Sequence, residues 1–294
     1  MGETILDIVF KNDEPRAAVP GGSSFNSAIS MARAGGNVRF VGYAGNDEVG
    51  QRILAFLRHN RLSTEHFTLR DDEKSAISLA FLDDNDDAHY QFYKGTPSLH
   101  HDFPPPPFTA TDVLLFGSYF AISPGTRHMV TQVLQAAHDA GALLYYDINF
   151  RQSHRHELES LLPHIYSNCR LSSIVRGSAD DFEVMYGCRD AQQIYQRHIS
   201  PHCPIFICTD GAKGVTVCTP SRISTFATPP VQTVSTIGAG DNFNAGVLTD
   251  LSAQGITPQK LADLDWTPFV ARGQRFAAAV CASLENYIAE GATL

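Results

Sequence analysis

Apolar residues are spaced differently before and after about residue 110 of this chain. In the first part, apolar and polar positions alternate over short segments such as 77–82 and 89–93, which predicts strands with one exposed face. In the second part, apolar residues stand in unbroken runs, which are typical of strands that a parallel sheet buries on both faces. These runs occupy residues 113–116, 143–146, 173–175 and 205–207.

Segments with helical periodicity separate the apolar runs. One group of apolar residues repeats at helical spacing before Gly141: Met129, Val130, Val133, Leu134 and Ala137. The alanine-rich stretch 269–288 is long enough for a further buried helix. Strands that alternate with helices in this way predict an α/β fold with a mostly parallel sheet.

The composition indicates a folded globular protein. Of the 294 residues, 43% are hydrophobic and 18% are charged, against about 25% charged residues in typical globular proteins. This composition argues against a disordered chain. The net charge of −9 and the isoelectric point near 5.7 argue against a dedicated nucleic-acid-binding protein. Small anions could still bind locally to backbone amides.

The sequence predicts a cytoplasmic protein with no membrane partner. No apolar run approaches the roughly 20 residues that cross a bilayer, and the acidic residues Glu3 and Asp7 argue against a signal peptide. The six cysteines include no Cys-x-x-Cys pair of the kind that zinc sites use. We therefore expect buried, reduced thiols.

A glycine-rich segment near the C-terminus carries the most informative chemical signal. Gly238, Ala239 and Gly240 precede Asp241, and the apolar spacing after them is helical. Small residues at a helix N-terminus let an anion approach the free N–H groups. These amides could stabilise a transferred phosphoryl group, and Asp241 could accept the proton of an attacking hydroxyl. Asp241 could instead only cap the helix, although a cap requires no flanking glycines.

A second segment, about two hundred residues earlier, supports this interpretation. Residues 20–28 read Pro-Gly-Gly-Ser-Ser-Phe-Asn-Ser-Ala and run into a helical pattern that ends at Gly35 and Gly36. This segment resembles the N-terminal signature of the PfkB (ribokinase-like) carbohydrate kinases, and 235–246 resembles their C-terminal signature. The resemblance covers nearly the whole chain and is greatest for the fructokinase branch.

Five shorter segments carry the same resemblance: 2–7, 45–50, 147–151, 176–181 and 209–214. In that order, they resemble the family's first strand, its Gly-x-Asp-x-x-Gly turn, its Asp-x-Asn-x-Arg element, its Asn-x-x-Glu segment and its nucleotide-side turn. The resemblance implies a ribokinase-like three-layer α/β/α sandwich, formed by a single kinase domain over residues 1–294. It also implies a small β-sheet lid at about 9–20 and 75–98, which would keep water from competing as acceptor.

The resemblance also implies roles for individual residues. The catalytic residues would be Asp241 as base, Gly238, Ala239 and Gly240 as an anion hole, and Arg151 near the sugar and the transferred phosphate. The sugar would contact Asp7, Gly21, Gly22 and Asn26, and the nucleotide would contact Ser178, Thr209, Gly211 and Gly214. Asp181 would influence a magnesium ion through water. The structural alternatives are a turn at the glycines, a cap at Asn26, a strand-end charge at Asp7 and a surface ion pair at Arg151.

Three positions depart from the family pattern. Ser235 stands where the family usually has an Asp that helps to hold a monovalent cation, which puts potassium activation in doubt. Ser178 and Asp181 replace Asn and Glu, and the shorter Asp reaches less far toward magnesium.

The resemblance implies an ATP-dependent sugar kinase that uses Mg²⁺ with ATP and converts fructose to fructose 6-phosphate. Ribokinase, 2-keto-3-deoxygluconate kinase and nucleoside kinase remain alternatives, as does a catalytically weak sugar-binding regulatory relative. A Rossmann dehydrogenase is disfavoured, because no Gly-x-Gly-x-x-Gly follows an early strand. We expect a homodimer formed through the lid, whose short strands would leave an exposed edge.

Several further side chains leave two interpretations open. Tyr90, Phe92 and Tyr93 of the predicted lid could contact the sugar or pack in a core. The acidic segment 83–87 is predicted to be a solvated hairpin turn. The histidine-containing segments 100–102 and 154–156 lack a third ligand at suitable spacing, so solvated surface is expected there rather than a metal site.

Overall fold

The computed structural model describes residues 1–82, 88–93 and 103–294. The strands are β1 (Ile5–Lys11), β2 (Glu14–Gly21), β3 (Gly42–Gly45), β4 (Phe67–Arg70), β5 (Ala76–Leu82), β6 (Ala88–Tyr93), β7 (Val113–Gly117), β8 (Leu143–Asp147), β9 (Ile174–Ser178), β10 (Phe206–Thr209), β11 (Val215–Cys218) and β12 (Ile223–Phe226). The helices are α1 (Ser23–Arg33), α2 (Glu48–His59), α3 (Arg127–Asp139), α4 (Leu158–Leu171), α5 (Ala179–Tyr186), α6 (Ala191–Ile194), α7 (Ala239–Ala253) and α8 (Thr267–Cys281).

The central sheet has the strand order β12-β11-β10-β9-β8-β7. Strands β7 to β10 are parallel to one another, whereas β11 and β12 extend the sheet in antiparallel pairing. The four predicted apolar runs lie in β7 to β10, and every residue of β8 is buried. This sheet confirms the predicted α/β fold class.

Helices cover both faces of the central sheet. Consecutive residues of a strand point to opposite faces, so Phe116 and Tyr146 join the core that contains α3, α4 and α5. Leu115 and Tyr145 join the core on the other face, which contains α7 and α8. The result is the predicted three-layer sandwich. The predicted helix before Gly141 is also confirmed, because α3 buries the five apolar residues on which the prediction rests.

A smaller sheet has the strand order β2-β1-β5-β6. Strands β1 and β2 form a hairpin, and its turn residues Asn12 and Asp13 have φ values of 54° and 61°, as type I′ hairpin turns require. Strand β5 is parallel to β1 and antiparallel to β6. The strands predicted at 77–82 and 89–93 are confirmed as parts of β5 and β6. The segments assigned to a lid belong to this sheet where they are described, and their function as a lid stays a prediction.

Some predictions for this region lie outside the described residues. They concern the acidic turn 83–87, the segment 100–102 and the side chain of Tyr90. Phe92 and Tyr93 are 56% and 48% exposed, which disfavours core packing for these two side chains.

The last predicted helix is shorter than expected. The sequence predicts a helix that reaches residue 288, but α8 ends at Cys281, whose carbonyl oxygen accepts the backbone N–H of Val234 at 2.7 Å. The chain then turns back onto α1. There the N–H of Ile288 donates to Ser30 Oγ at 3.1 Å, and the guanidinium of Arg33 donates to the carbonyl of Ile288 at 2.8 Å. These contacts with a distant helix replace the local helical bonds.

Two further findings concern the helices and the cysteines. Within the described residues, no helix is long and apolar enough to span a membrane. All six cysteines are free thiols, and the buried ones are Cys169, Cys203, Cys208 and Cys218.

Candidate active site

The N-terminus of α7 forms the base of the candidate site. Gly238 precedes the helix in a left-handed conformation with φ of 74°, and no side chain caps this end. Because the first N–H groups of a helix have no partner inside it, this end can bind an anion. A Cβ at Gly238 would lie 2.9 Å from the carbonyl oxygen of Asn286, and one at Gly240 would lie 2.9 Å from Nη2 of Arg176. Neither position therefore has room for a side chain unless its neighbour moves.

Asp241 lies in the first turn of α7, and its carboxylate points to α1. Its Oδ1 accepts a hydrogen bond from Ser23 Oγ at 2.7 Å, and its Oδ2 accepts one from Asn26 Nδ2 at 2.9 Å. The residue keeps part of its surface exposed. The carboxylate therefore does not serve as a helix cap. The two sequence signatures, more than two hundred residues apart, meet at this side chain.

The surroundings of Asp241 favour proton transfer near neutral pH. Burial raises the pKa of its carboxyl group to about 6, although the hydrogen bonds from Asn26 and Ser23 lower it. The negative charge of Asp147 raises this pKa further, and the positive charge of Arg151 lowers it. A carboxylate with a pKa near the working pH suits a general base.

Three of the four residues predicted to contact sugar lie side by side. A Cβ at Gly21 would lie 2.6 Å from Asp7 Oδ2 and 3.8 Å from Asn26 Oδ1. Burial raises the pKa of Asp7, while a hydrogen bond from Ser78 Oγ lowers it. Among the described residues, Asn26 Oδ1 is buried and has no hydrogen-bond donor. A ligand hydroxyl could supply that donor.

Gly22 precedes α1 and completes this side of the site. Its φ is 125°, a conformation that favours glycine, and a Cβ there would lie 2.5 Å from the carbonyl oxygen of Glu3. Gly22 therefore lets the chain pass closely into α1, which carries Ser23 and Asn26 toward Asp241.

The residues predicted to contact nucleotide lie at the carboxyl edge of the parallel sheet, where α/β proteins bind ligands. Thr209 ends β10, and its Oγ1 accepts a hydrogen bond from Arg176 Nη2 at 2.6 Å. Gly211 and Gly214 follow in a turn with φ values of 51° and 122°. Ser178 ends the neighbouring strand β9.

Ser178 and Asp181 form a capping box at the start of α5. Ser178 Oγ accepts the N–H of Asp181 at 3.1 Å, and Asp181 Oδ2 accepts the N–H of Ser178 at 2.7 Å. Burial raises the pKa of Asp181, and Arg176 lowers it. Within the described part of the chain, no group of three or more His, Cys, Asp or Glu side chains is arranged to hold a metal ion. The contact of Asp181 with a magnesium ion through water stays a prediction.

Arg151 follows β8 and is exposed. Its charge lowers the pKa of both Asp241 and Asp181, so its guanidinium acts on both carboxylates.

Two other residues discussed from the sequence, Ser235 and His154, make local contacts. Ser235 Oγ accepts the N–H of Ile237 at 3.2 Å, and His154 stacks on Tyr119 with ring centroids 3.8 Å apart.

A buried polar network that the sequence did not reveal lies behind the N-terminus of α7. Asp147 Oδ1 accepts from Arg176 Nη1 at 3.0 Å, and Asp147 Oδ2 accepts from Asn244 Nδ2 at 2.8 Å. The hydroxyl of Tyr145 donates to Asn244 Oδ1 at 3.0 Å. One signal in the sequence could have revealed this network: Arg176 is a charged residue inside an apolar strand. A buried charge needs a partner.

Comparisons with known proteins show which family this chain matches. The family model described as "pfkB family carbohydrate kinase" matches residues 12–288. A fructokinase of Salmonella typhimurium is 24% identical over 283 residues, which cover 92% of this chain and 89% of that protein. An aminoimidazole riboside kinase of Salmonella typhimurium is 27% identical over 256 residues, which cover 86% of this chain and 80% of that protein.

The fold is also found in solved structures. A fructokinase from Vibrio cholerae, crystallised with fructose, ADP and calcium ion, superposes with a TM-score of 0.81 at 21% identity. The superposition covers 97% of this chain and 92% of that one. At this identity the likeness concerns the fold.

Proposed function

The chain belongs to the pfkB family of carbohydrate kinases, and from this premise we propose that it phosphorylates fructose with ATP, using Asp241 as general base. Its general activity is that of a phosphotransferase with a sugar as acceptor. The observation that carries the specific proposal is the contact of Asp241 with Ser23 and Asn26 at the anion-binding end of α7. A base, a buried oxygen that has no hydrogen-bond donor among the described residues and the N-terminus of a helix thus meet in one place.

In this mechanism, Asp241 removes the proton of the sugar hydroxyl as that oxygen attacks the γ-phosphoryl group. A positioned base of this kind typically contributes about 10²–10⁴-fold to the rate. The two hydrogen bonds from Ser23 and Asn26 orient the carboxylate. Asp7, Gly21 and Gly22 border the sugar, and Asn26 Oδ1 accepts a hydrogen bond from one of the sugar hydroxyl groups.

The amides from Gly238 to Gly240 stabilise the negative charge that develops on the transferred phosphoryl group. Arg151 adds positive charge on the same side. The four-stranded sheet β2-β1-β5-β6 would act as a lid that excludes water from this reaction. The whole chain would then work as one kinase domain.

The nucleotide would lie along the carboxyl edge of β9 and β10, with its phosphates near Thr209, Gly211 and Gly214 and with Ser178 nearby. A divalent ion such as Mg²⁺, bound to ATP, would supply positive charge to the phosphates. The apolar side chains of Val231, Val234 and Ile237 are exposed in the chain before Gly238. The side chain of Leu284, beyond α8, is exposed as well. This apolar surface suits a flat base ring. The uncharged Ser235 argues against a cation held by a carboxylate, so potassium activation stays doubtful.

The identity of the sugar is the finer part of the proposal. The fructokinase relatives and the Asp-x-Asn-x-Arg element at 147–151 favour fructose. The relative named aminoimidazole riboside kinase, which is 27% identical, favours a riboside as a second candidate. A regulatory protein that binds sugar without turnover is a third, and the departures at Ser178 and Ser235 motivate it. A cytoplasmic location, where ATP is available, completes the proposal.

The test is ADP release from Mg-ATP with a panel of fructose, ribose, 2-keto-3-deoxygluconate and a nucleoside. We expect turnover with fructose, and we expect Asp241→Asn to lower kcat by about 10²-fold or more, because the amide cannot accept the proton. Asp250→Asn is the matched control. Asp250 lies near the other end of α7, where its carboxylate faces Arg272 at 3.7 Å, so this variant should keep wild-type turnover.

Each other outcome contradicts a defined part of the proposal. Faster turnover with the nucleoside than with fructose would contradict the fructose assignment. Thermal stabilisation by a sugar without any turnover would favour the regulatory protein. Full activity of Asp241→Asn would exclude Asp241 as the base.

A further inference from the structure

Arg176 of β9 lies directly beneath the anion-binding turn of α7. It is 5% exposed, and the backbone of Gly240 rests against its guanidinium group, because a Cβ there would lie 2.9 Å from Nη2 and 3.1 Å from Nη1. If this guanidinium shifted, it would either press on the peptide groups at Gly240 or leave them unsupported. The proposed mechanism uses these peptide groups to bind the phosphoryl group.

The hydrogen bonds of Arg176 join neighbouring strands at their carboxyl ends. Nη1 donates to Asp147 at the end of β8, and Nη2 donates to Thr209 at the end of β10. Asp147 in turn accepts from Asn244, which lies one helical turn beyond Gly240 on α7. One planar group thus fixes the separation between the sheet edge and the first turn of α7.

The charges around Arg176 show that its positive charge is needed at this point. Asp147 and Asp181 are 2% and 5% exposed, and the positive charge of Arg176 lowers the pKa of Asp181. A well-packed apolar group could replace a buried ion pair without loss of stability. Moreover, Nε of Arg176 is buried without an acceptor among the described residues. A buried donor of this kind needs a partner such as water or a bound ligand.

We propose that Arg176 is a positioning residue for phosphoryl transfer, whose rigid fork holds the amides at Gly240 and the hydroxyl of Thr209 in register and supplies a fixed positive charge beneath them. This inference rests on the proposed kinase function. A lysine would keep the charge but lacks the planar fork that reaches two partners at once. The effect should therefore appear in kcat, with little change in the KM for the sugar.

The experiment compares Arg176→Lys, Asp147→Asn and the double variant Arg176→Met/Asp147→Asn with the wild type, at about pH 8, where Asp241 is deprotonated. The double variant removes both charges of the Arg176–Asp147 pair, so neither member of that pair is left as an unpaired buried charge. Arg127→Met is the matched control. Arg127 is a partly buried arginine of α3 whose partners include Asn168 at 2.6 Å and the carbonyl of Ala121 at 2.9 Å.

We expect the double variant to unfold at nearly the wild-type temperature and to lose kcat by about 10²-fold, the usual effect of a small misplacement in an active site. Its KM for the sugar should stay within about threefold, and Arg176→Lys should recover part of the loss. Two results would overturn the inference. One is a kcat within about threefold of wild type in the folded double variant. The other is an equal loss of kcat in Asp147→Asn alone.

A binding measurement separates this inference from the proposed function. Beryllium fluoride, which mimics the transferred phosphoryl group when it is added to MgADP, should raise the unfolding temperature above that with MgADP alone in the wild type and in Arg127→Met but not in the double variant. If no sugar supports turnover in the wild type, the proposed function fails while this comparison still tests Arg176. An equal stabilisation of the double variant would overturn the role of Arg176 whatever the turnover shows.

Discussion

Asp241 is the residue on which the pH dependence of the reaction turns. Burial raises its pKa to about 6, and the hydrogen bonds from Asn26 and Ser23 work against this rise. A base accepts a proton only when it is deprotonated, so kcat/KM should fall as the pH drops through about 6. Ser23→Ala removes one hydrogen bond to the charged form, so we expect it to move this acidic limb to higher pH.

The measurement is a pair of pH–rate profiles of kcat/KM between about pH 5 and pH 8. Ser27→Ala serves as control, because Ser27 Oγ donates to the backbone carbonyl of Asp241 at 2.8 Å and not to its carboxylate. Its acidic limb should coincide with that of the wild type. A limb for Ser23→Ala at or below the wild-type position would show that this hydrogen bond does not tune the base.

The residues that sequence alone could predict are those whose neighbours in the chain create their environment. Asp241 follows Gly238 and Gly240 directly, so the helix N-terminus and its carboxylate are visible in one short segment. The hydrogen-bond partners of Arg176 are far from it in sequence: Asp147 is 29 residues away and Thr209 is 33 residues away. Contacts at this range are set by strand order, which no local pattern encodes.

The same distinction holds for whole elements. Helix α3 was predictable because its five apolar residues all face one core, so periodicity and burial coincide. The end of α8 was not, because the carbonyl of Cys281 bonds to the chain before α7 and the residues after Cys281 turn away to contact α1. Helical propensity there competes with tertiary bonds, and the tertiary bonds prevail.

The junction of α1, α7 and the C-terminal segment depends on one buried serine. Ser30 Oγ donates to Asn242 Oδ1 at 2.5 Å and accepts the N–H of Ile288 at 3.1 Å. Asn242 Nδ2 donates to the carbonyl of Gly238 at 2.8 Å. We expect Ser30→Ala to lower the free energy of unfolding by about 1–3 kcal/mol, because it leaves a buried acceptor and a buried donor unsatisfied.

Urea denaturation of the two proteins measures this difference. Ser160→Ala is the control, because the Ser160 hydroxyl is exposed on α4 and donates only to the nearby carbonyl of Glu157. That variant should stay within about 0.5 kcal/mol of wild type. Equal stability of Ser30→Ala and wild type would mean that water or a local rearrangement satisfies the two groups.

At the scale of the whole molecule, the four-stranded sheet leaves two edges, β2 and β6. Edge strands offer unpaired backbone groups to other chains unless charges or prolines protect them. Strand β2 carries Glu14, Pro15 and Arg16 among its exposed residues, so this edge is protected. Strand β6 carries exposed aromatic side chains instead, with Tyr93 at 48% exposure. Within the part of the chain that the structure describes, the unprotected edge is therefore β6.

We expect two copies of the chain to associate through β6, which would give a particle of twice 32.1 kDa by light scattering at micromolar concentration. Gln91 and Tyr93 point to the same face of this strand, so Gln91→Lys/Tyr93→Lys would set like charges opposite each other across the interface and should give the monomer. Ala17→Lys adds a charge to the other edge, where β2 is already charged, and should leave the dimer intact. A monomeric wild type would exclude association through the lid, and a dimeric double variant would show that the interface does not lie at β6.

Because the same sheet would close over the sugar, loss of the dimer should also raise the KM for the sugar more than it lowers kcat.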